Sequence, residues 1–163
     1  MTCPECTFSY NEDIDVVSLL PAEVASLTKT LLSDADMRTR RSPTVWSPLE
    51  YACHVRDMLL VQRERVLLAR RMNRPDCTPM GRDERVTHDG YADQDVPDVT
   101  RQLTDAAALF ANVLRRLPES DWDRTVLYRY PSPTERTLRW VALHTLHEVQ
   151  HHLLDIRRQL GSS

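Results

Sequence analysis

Glycine is scarce in this chain: only Gly81, Gly90 and Gly161 occur in 163 residues. Hairpin-rich folds need residues that take positive φ at their turns, so this scarcity argues against a sandwich or barrel. No GxGxxG and no P-loop can be assembled, which removes the usual dinucleotide and nucleotide fingerprints. Lysine occurs once, at Lys29, beside 20 arginines, and the formal charge is −3. A broad basic footprint for nucleic acid is therefore not expected. No apolar run approaches the length of a membrane span. The amino end lacks the basic and apolar regions of a secretory signal, so a cytoplasmic protein is expected. What remains is an ordinary globular composition, 41% apolar and 28% charged, of a size that forms one core.

Cysteine is also sparse, at positions 3, 6, 53 and 77. In a reducing compartment these are thiols or metal ligands before they are disulfides. Cys3-Pro-Glu-Cys6 is a CxxC without a partner CxxC, half of a structural zinc site. A local metal clip, a redox pair and an inert terminus all fit it. Residues 1–18 are read as a separate CxxC-containing segment, and 19–161 as the folded domain.

Helical periodicity is plentiful. A first helix is expected over about 21–33, with Val24, Leu27, Leu31 and Leu32 on one face. A second has the clearest start, with Ser47 as N-cap, Pro48 at the first helical position and Glu50 completing a capping box. It continues to about Met72. Residues 73–97 hold Pro75, Pro79, Gly81, Gly90 and Pro97, and read as a long connection with room for a short helical turn. A third helix spans about 98–117, and Pro118 stops it. An irregular stretch then leads to a last helix over about 135–160, ended by Gly161. The expected class is all-α, a four-helix bundle with long crossover connections.

The chemistry gathers in the last helix. Four of the six histidines fall in the window His144-Thr-Leu-His147-Glu148-Val-Gln-His151-His152. Side chains at i and i+4 on a helix point the same way, close enough to hold one ion. Two such pairs overlap, His147 with His151 and Glu148 with His152. Advancing about 100° per residue, the apolar stripe is Ala142, Leu146, Val149, Leu153, Ile156 and Leu160. Glu148 and His152 flank that stripe, whereas His147 and His151 turn away from it. The flank pair is better placed to meet a ligand from another helix, and His54 is the histidine available there. His147 and His151 then read as outer or surface groups. Two imidazoles and one carboxylate with open positions suit zinc, iron(II), nickel or manganese.

Trp46-Ser-Pro-Leu-Glu50-Tyr-Ala-Cys-His54-Val-Arg-Asp57 and Arg139-Trp140-Val141-Ala-Leu-His144 through Ile156 resemble the DinB-like (DinB/YfiT) metal-binding four-helix bundles. The resemblance runs from about Leu20 to Gly161. It implies a divalent metal, zinc ahead of nickel, iron or manganese, held by one histidine of the second helix and an i, i+4 pair on the last. In the mycothiol-dependent maleylpyruvate isomerases that pair is a glutamate and a histidine, which places it on Glu148 and His152. The frame His147 with His151 resembles the DinB-type domain of ergothioneine-synthesising sulfoxide synthases and ranks second. The resemblance also implies a low-molecular-weight thiol, such as mycothiol, as substrate or cofactor, and it is compatible with a homodimer. Arg56, Arg82, Arg85 or Arg139 could then receive carboxylates of that thiol. Alternatively, Cys3 and Cys6 complete the metal site of a non-catalytic or redox-responsive protein. A nucleic-acid face on Arg63, Arg65, Arg70, Arg71 and Arg74 is explained more simply as the solvated side of the second helix.

Overall fold

The computed structural model describes residues 1–161. Four long helices build the body: α1 (Val16–Leu31), α2 (Pro48–Arg71), α4 (Val96–Arg115) and α5 (Leu138–Leu160), with a short α3 (Arg82–His88) between the second and the next. Around the bundle the long helices follow the cyclic order α1, α4, α2, α5, so α1 lies diagonally from α2 and α4 from α5, while α2 and α4 pack side by side. Long crossings make this arrangement possible, and α5 ends up flanked by α1 and α2. None of the described helices is long and apolar enough to cross a membrane.

Each of the four long helices begins where a side chain can satisfy its free N–H groups. Ser47 accepts from the Glu50 amide at 3.2 Å while Glu50 Oε2 accepts from the Ser47 amide at 2.7 Å, the reciprocal box expected from the sequence. Arg40 then grips the same carboxylate with two guanidinium nitrogens, at 2.7 and 2.5 Å. Burial alone would raise the Glu50 pKa, but Arg40 and the Ser47 amide hold it below the ordinary carboxylate value. Thr137 caps α5 by accepting from Trp140, and Gly161 ends it with φ +74°.

The first helix begins five residues earlier than the periodicity from Pro21 implied. Asp15 caps it by accepting from Ser18, and Val16 and Leu20 extend the buried row of Val24, Leu27 and Leu31. Pro21 thus stands inside α1, near its start. The boundary drawn at residue 18 cuts through this helix. α5 begins at Leu138, three residues later than expected, because Thr134–Thr137 are a strand.

That strand belongs to a small sheet that periodicity did not reveal. β1 (Asp76–Cys77) runs parallel to β2 (Thr125–Tyr128), and β2 runs antiparallel to β3 (Thr134–Thr137), with Val126 opposite Arg136. Two to four residues are too few to display a period clearly, although Val126 and Tyr128 do alternate inward. The core is continuous through all the long helices. Leu27, Leu59, Leu103, Phe110, Leu146 and Ile156 are completely or almost completely buried.

Candidate metal centre

The long helices bring three predicted donors together. Ligand atoms of His54 on α2 and of Glu148 and His152 on α5 all lie within 4.8 Å of one another. Their convergence follows from the bundle order, since α2 and α5 are neighbours and one turn of α5 separates Glu148 from His152. His54 is 3% exposed and His152 8%, while Glu148 is partly buried. The two imidazoles meet edge to face, 5.0 Å between centroids.

The electrostatics suit a cation. Burial pushes the His54 pKa down to about 3, so the ring is neutral with a lone pair to offer, and its buried Nδ1 has no hydrogen-bond partner. Burial also acts to lower His152, but Asp155 and Glu148 outweigh it and raise the pKa to about 9. His152 Nδ1 lies 3.0 Å from Asp155 Oδ2, which leaves Nε2 facing Glu148 Oε2 at 3.6 Å. Donors around one zinc ion stand about 3.3 Å apart; the Glu148–His152 pair is close to that, and all three donors, within 4.8 Å of one another, would draw together around an ion. Glu148 is held well below the ordinary carboxylate pKa: its burial opposes this, and His147, His152 and His144 overcome it. The donor set therefore fits a divalent metal. Asp155 was not singled out from the sequence, although its position three residues after His152 is the available signal. A carboxylate on the far nitrogen of a ligand histidine fixes the ring and strengthens it as a donor.

Beside this triad opens a cavity of about 280 Å³, walled by His54, Met58, Arg82, Tyr128, His144 and Glu148 among others. A polar cleft of about 330 Å³ lies by His152, Asp155, Tyr51 and Trp46. Arg82 borders both, its guanidinium 5.9 Å from the Trp46 ring and 5.6 Å from that of Tyr130. The other arginines named as carboxylate receivers are committed elsewhere. Arg56 is buried against Asp57, Gln94, Gln102 and Asp89, Arg85 bonds Asp57 and the Met80 carbonyl, and Arg139 meets Glu119. On α2, Arg70 pairs with Asp121 and Arg65 with the Thr78 carbonyl, while Arg74, just past the helix end, pairs with Glu135.

The second pair, His147 and His151, is not a surface pair. His147 is 9% exposed, because the chain before α1 lies across this face of α5. Phe8 packs at 5.4 Å from the His147 ring and Tyr10 at 5.5 Å, and the Tyr10 hydroxyl is 2.9 Å from His144 Nδ1. Helical angles describe a helix against its bundle. They say nothing of an irregular segment folded over the opposite side. That segment carries Cys3 and Cys6 to His147 and His151, all four offering donor atoms within 4.8 Å of one another. The cysteines thus gather with the other pair and not with His54, Glu148 and His152.

A bundle of this topology with a two-helix histidine and carboxylate cluster defines a class, and comparison gives the family. The DinB superfamily model matches residues 19–156, and the chain belongs to that superfamily. Among solved structures it is similar to YfiT from Bacillus subtilis, described as a probable metal-dependent hydrolase with an unusual four-helix bundle topology. That likeness has a TM-score of 0.78 at 18% identity and covers 100% of this chain and 95% of YfiT. It is also similar to a mycothiol-dependent maleylpyruvate isomerase, with a TM-score of 0.70 at 16% identity. There the match covers 91% of this chain but 60% of the isomerase. At these identities the likeness establishes the fold. No match to a curated protein sequence was found.

Proposed function

We propose that this DinB-superfamily protein is a metal-dependent enzyme in which His54, Glu148 and His152 hold a divalent cation, zinc first among the candidates. Its substrate is a low-molecular-weight thiol of the mycothiol type or an adduct of one. The observation that carries this reading is that three donors from two helices converge beside a cavity sized for a small molecule. A cation there would supply Lewis acidity, lowering the pKa of a bound thiol so that thiolate is available at neutral pH.

The chain's own residues account for the rest. Asp155 orients the His152 ring, and burial keeps His54 neutral. Met58, Val61 and Met80 line the cavity with apolar surface. Arg82 presents a guanidinium at its edge to a substrate carboxylate, a role its planar fork of donors suits. The descriptions of YfiT as metal-dependent and of the isomerase as mycothiol-dependent accord with this reading. The alternative, a non-catalytic protein whose cysteines complete the same coordination sphere, is disfavoured because Cys3 and Cys6 group with His147 and His151.

Cobalt-substituted protein titrated with mycothiol, bacillithiol and glutathione tests the assignment. At least one thiol is expected to perturb the visible spectrum, and His54→Ala to abolish that response. No perturbation by any of the three would end the thiol assignment, and full metal retention by His54→Ala would remove His54 from the site.

A further inference from the structure

The four residues Cys3, Cys6, His147 and His151 lie outside the centre just described, and their arrangement has the marks of a built site. The CPEC loop is closed by backbone hydrogen bonds. The Cys3 amide donates to the Phe8 carbonyl at 2.9 Å, the Thr7 amide to the Cys3 carbonyl at 3.0 Å, and the Tyr10 amide to the Met1 carbonyl at 2.9 Å. Thr7 takes φ +61°, the left-handed conformation that turns the chain sharply just after the second cysteine. Phe8, 7% exposed, anchors the loop on the bundle. Both thiols are thereby held over α5.

The helix side is equally specific. Both ring nitrogens of buried His147 lack a hydrogen-bond partner; Nδ1 lies 3.1 Å from Glu148 Oε1, but without hydrogen-bond geometry. A buried imidazole left in that state is costly unless a ligand uses it. His151 Nδ1 lies 3.8 Å from Cys3 Sγ, close to the roughly 3.6 Å that separates sulfur and nitrogen ligands around tetrahedral zinc. Its Nε2 faces the carboxylates of Asp155 and Glu5 at 3.7 and 3.9 Å. Those groups stand on the side where carboxylates commonly support ligand histidines.

We infer that Cys3, Cys6, His147 and His151 form a second metal site, a closed Cys2His2 centre for zinc that fastens the amino-terminal segment to α5. Two thiolates and two imidazoles complete a tetrahedron, so this centre is structural, whereas the three-donor centre keeps positions open. The two i, i+4 pairs of α5 are not competing frames for one ion. Each serves its own, one turned towards α2 and the other towards the segment before α1. Binding joins residues about 145 apart in sequence, a long loop whose closure removes much freedom from the unfolded chain.

Cobalt spectroscopy separates this centre from the other, because only this one contains sulfur. Cobalt-loaded protein is expected to show a thiolate-to-cobalt charge-transfer band and intense tetrahedral visible bands. His54→Ala should keep that band, and Cys3→Ser with Cys6→Ser should abolish it while the sulfur-free centre still binds metal. A cobalt spectrum without thiolate bands in wild-type protein would overturn the inference, as would bands that survive removal of both cysteines. Alkylation of the unmodified zinc-loaded chain gives a readout that needs no variant. Cys3 and Cys6 should resist modification until a chelator is added, while Cys53 and Cys77 are buried and stay protected in both states. Equal reactivity with and without chelator, or a Cys3–Cys6 disulfide in protein prepared without reductant, would overturn it in favour of an inert or redox-active terminus.

Discussion

Two regions share the same two turns of α5 and differ in almost everything else. On one side His54, Glu148 and His152 are nitrogen and oxygen donors set on regular helices inside a continuous core. On the other, Cys3 and Cys6 are sulfur donors on a loop with little regular structure of its own, leaning on Phe8 and Tyr10. The first arrangement is held by the bundle whether or not an ion is bound. The second depends on a few contacts and on whatever its four donors grip. On the proposed assignments, the rigid frame would leave positions open for chemistry, while the loop would gain order by closing its ligand set.

The largest contrast is expected in stability. Phe110 is fully buried in the bundle, and Phe110→Ala should cost about 3–5 kcal/mol in urea denaturation. Phe8→Ala should leave global stability near that of the wild type, because opening the amino-terminal segment is a local event. It should instead speed hydrogen exchange at the Cys3 and Tyr10 amides. Comparable losses in the two variants would mean that the segment is an integral part of the core.

A smaller effect distinguishes the centres themselves. Asp155 Oδ2 is 3.0 Å from His152 Nδ1 but 3.7 Å from His151 Nε2. Asp155→Asn should therefore weaken metal binding at the His54 centre by about 10- to 100-fold, with less change in the thiolate bands. Isothermal titration of protein lacking Cys3 and Cys6 would measure the first quantity, and equal loss at both centres would erase the asymmetry.

The smallest effect concerns acid. Glu50 has its pKa lowered from the ordinary 4.5 by the Arg40 pairing and the Ser47 amide, against the opposing effect of burial. A depressed carboxylate stabilises the fold above its unfolded value and loses that contribution as pH falls through the folded one. Wild-type stability should therefore decline below about pH 4.5 more steeply than that of Glu50→Gln, an effect of roughly 1 kcal/mol, since Arg40 is one-third exposed. Parallel pH profiles from urea midpoints would show that the pair contributes nothing.

What could be read in the sequence follows the same division. The box of Ser47, Pro48 and Glu50 is a local pattern with one physical meaning, and α2 starts where it says. The Glu148–His152 flank was legible because helical angle fixes which side chains face a neighbour, and His54 because it was the histidine expected on another helix. The start of α1 was missed because Pro21 resembles a first-turn residue, while Asp15 caps a helix whose inner row already includes Val16 and Leu20. The sheet was missed because its strands are so short. The burial of His147 could not be inferred, since it depends on an irregular segment some 140 residues away. Phe8 and Tyr10, two aromatics just after a CxxC, were the available hint that this segment packs down.

The cavity beside the triad is assembled from unlike materials. The three donors belong to long helices, whereas other lining residues, Pro79–Glu84 and Tyr128–Tyr130, come from a connection running into the short α3 and from the end of β2 with the turn after it. Connections tolerate substitution and changes of length far more readily than packed helices do. On the proposed function, selectivity and reactivity would be inherited separately: that lining could be rewritten for a new guest molecule while the donors stay where the bundle puts them.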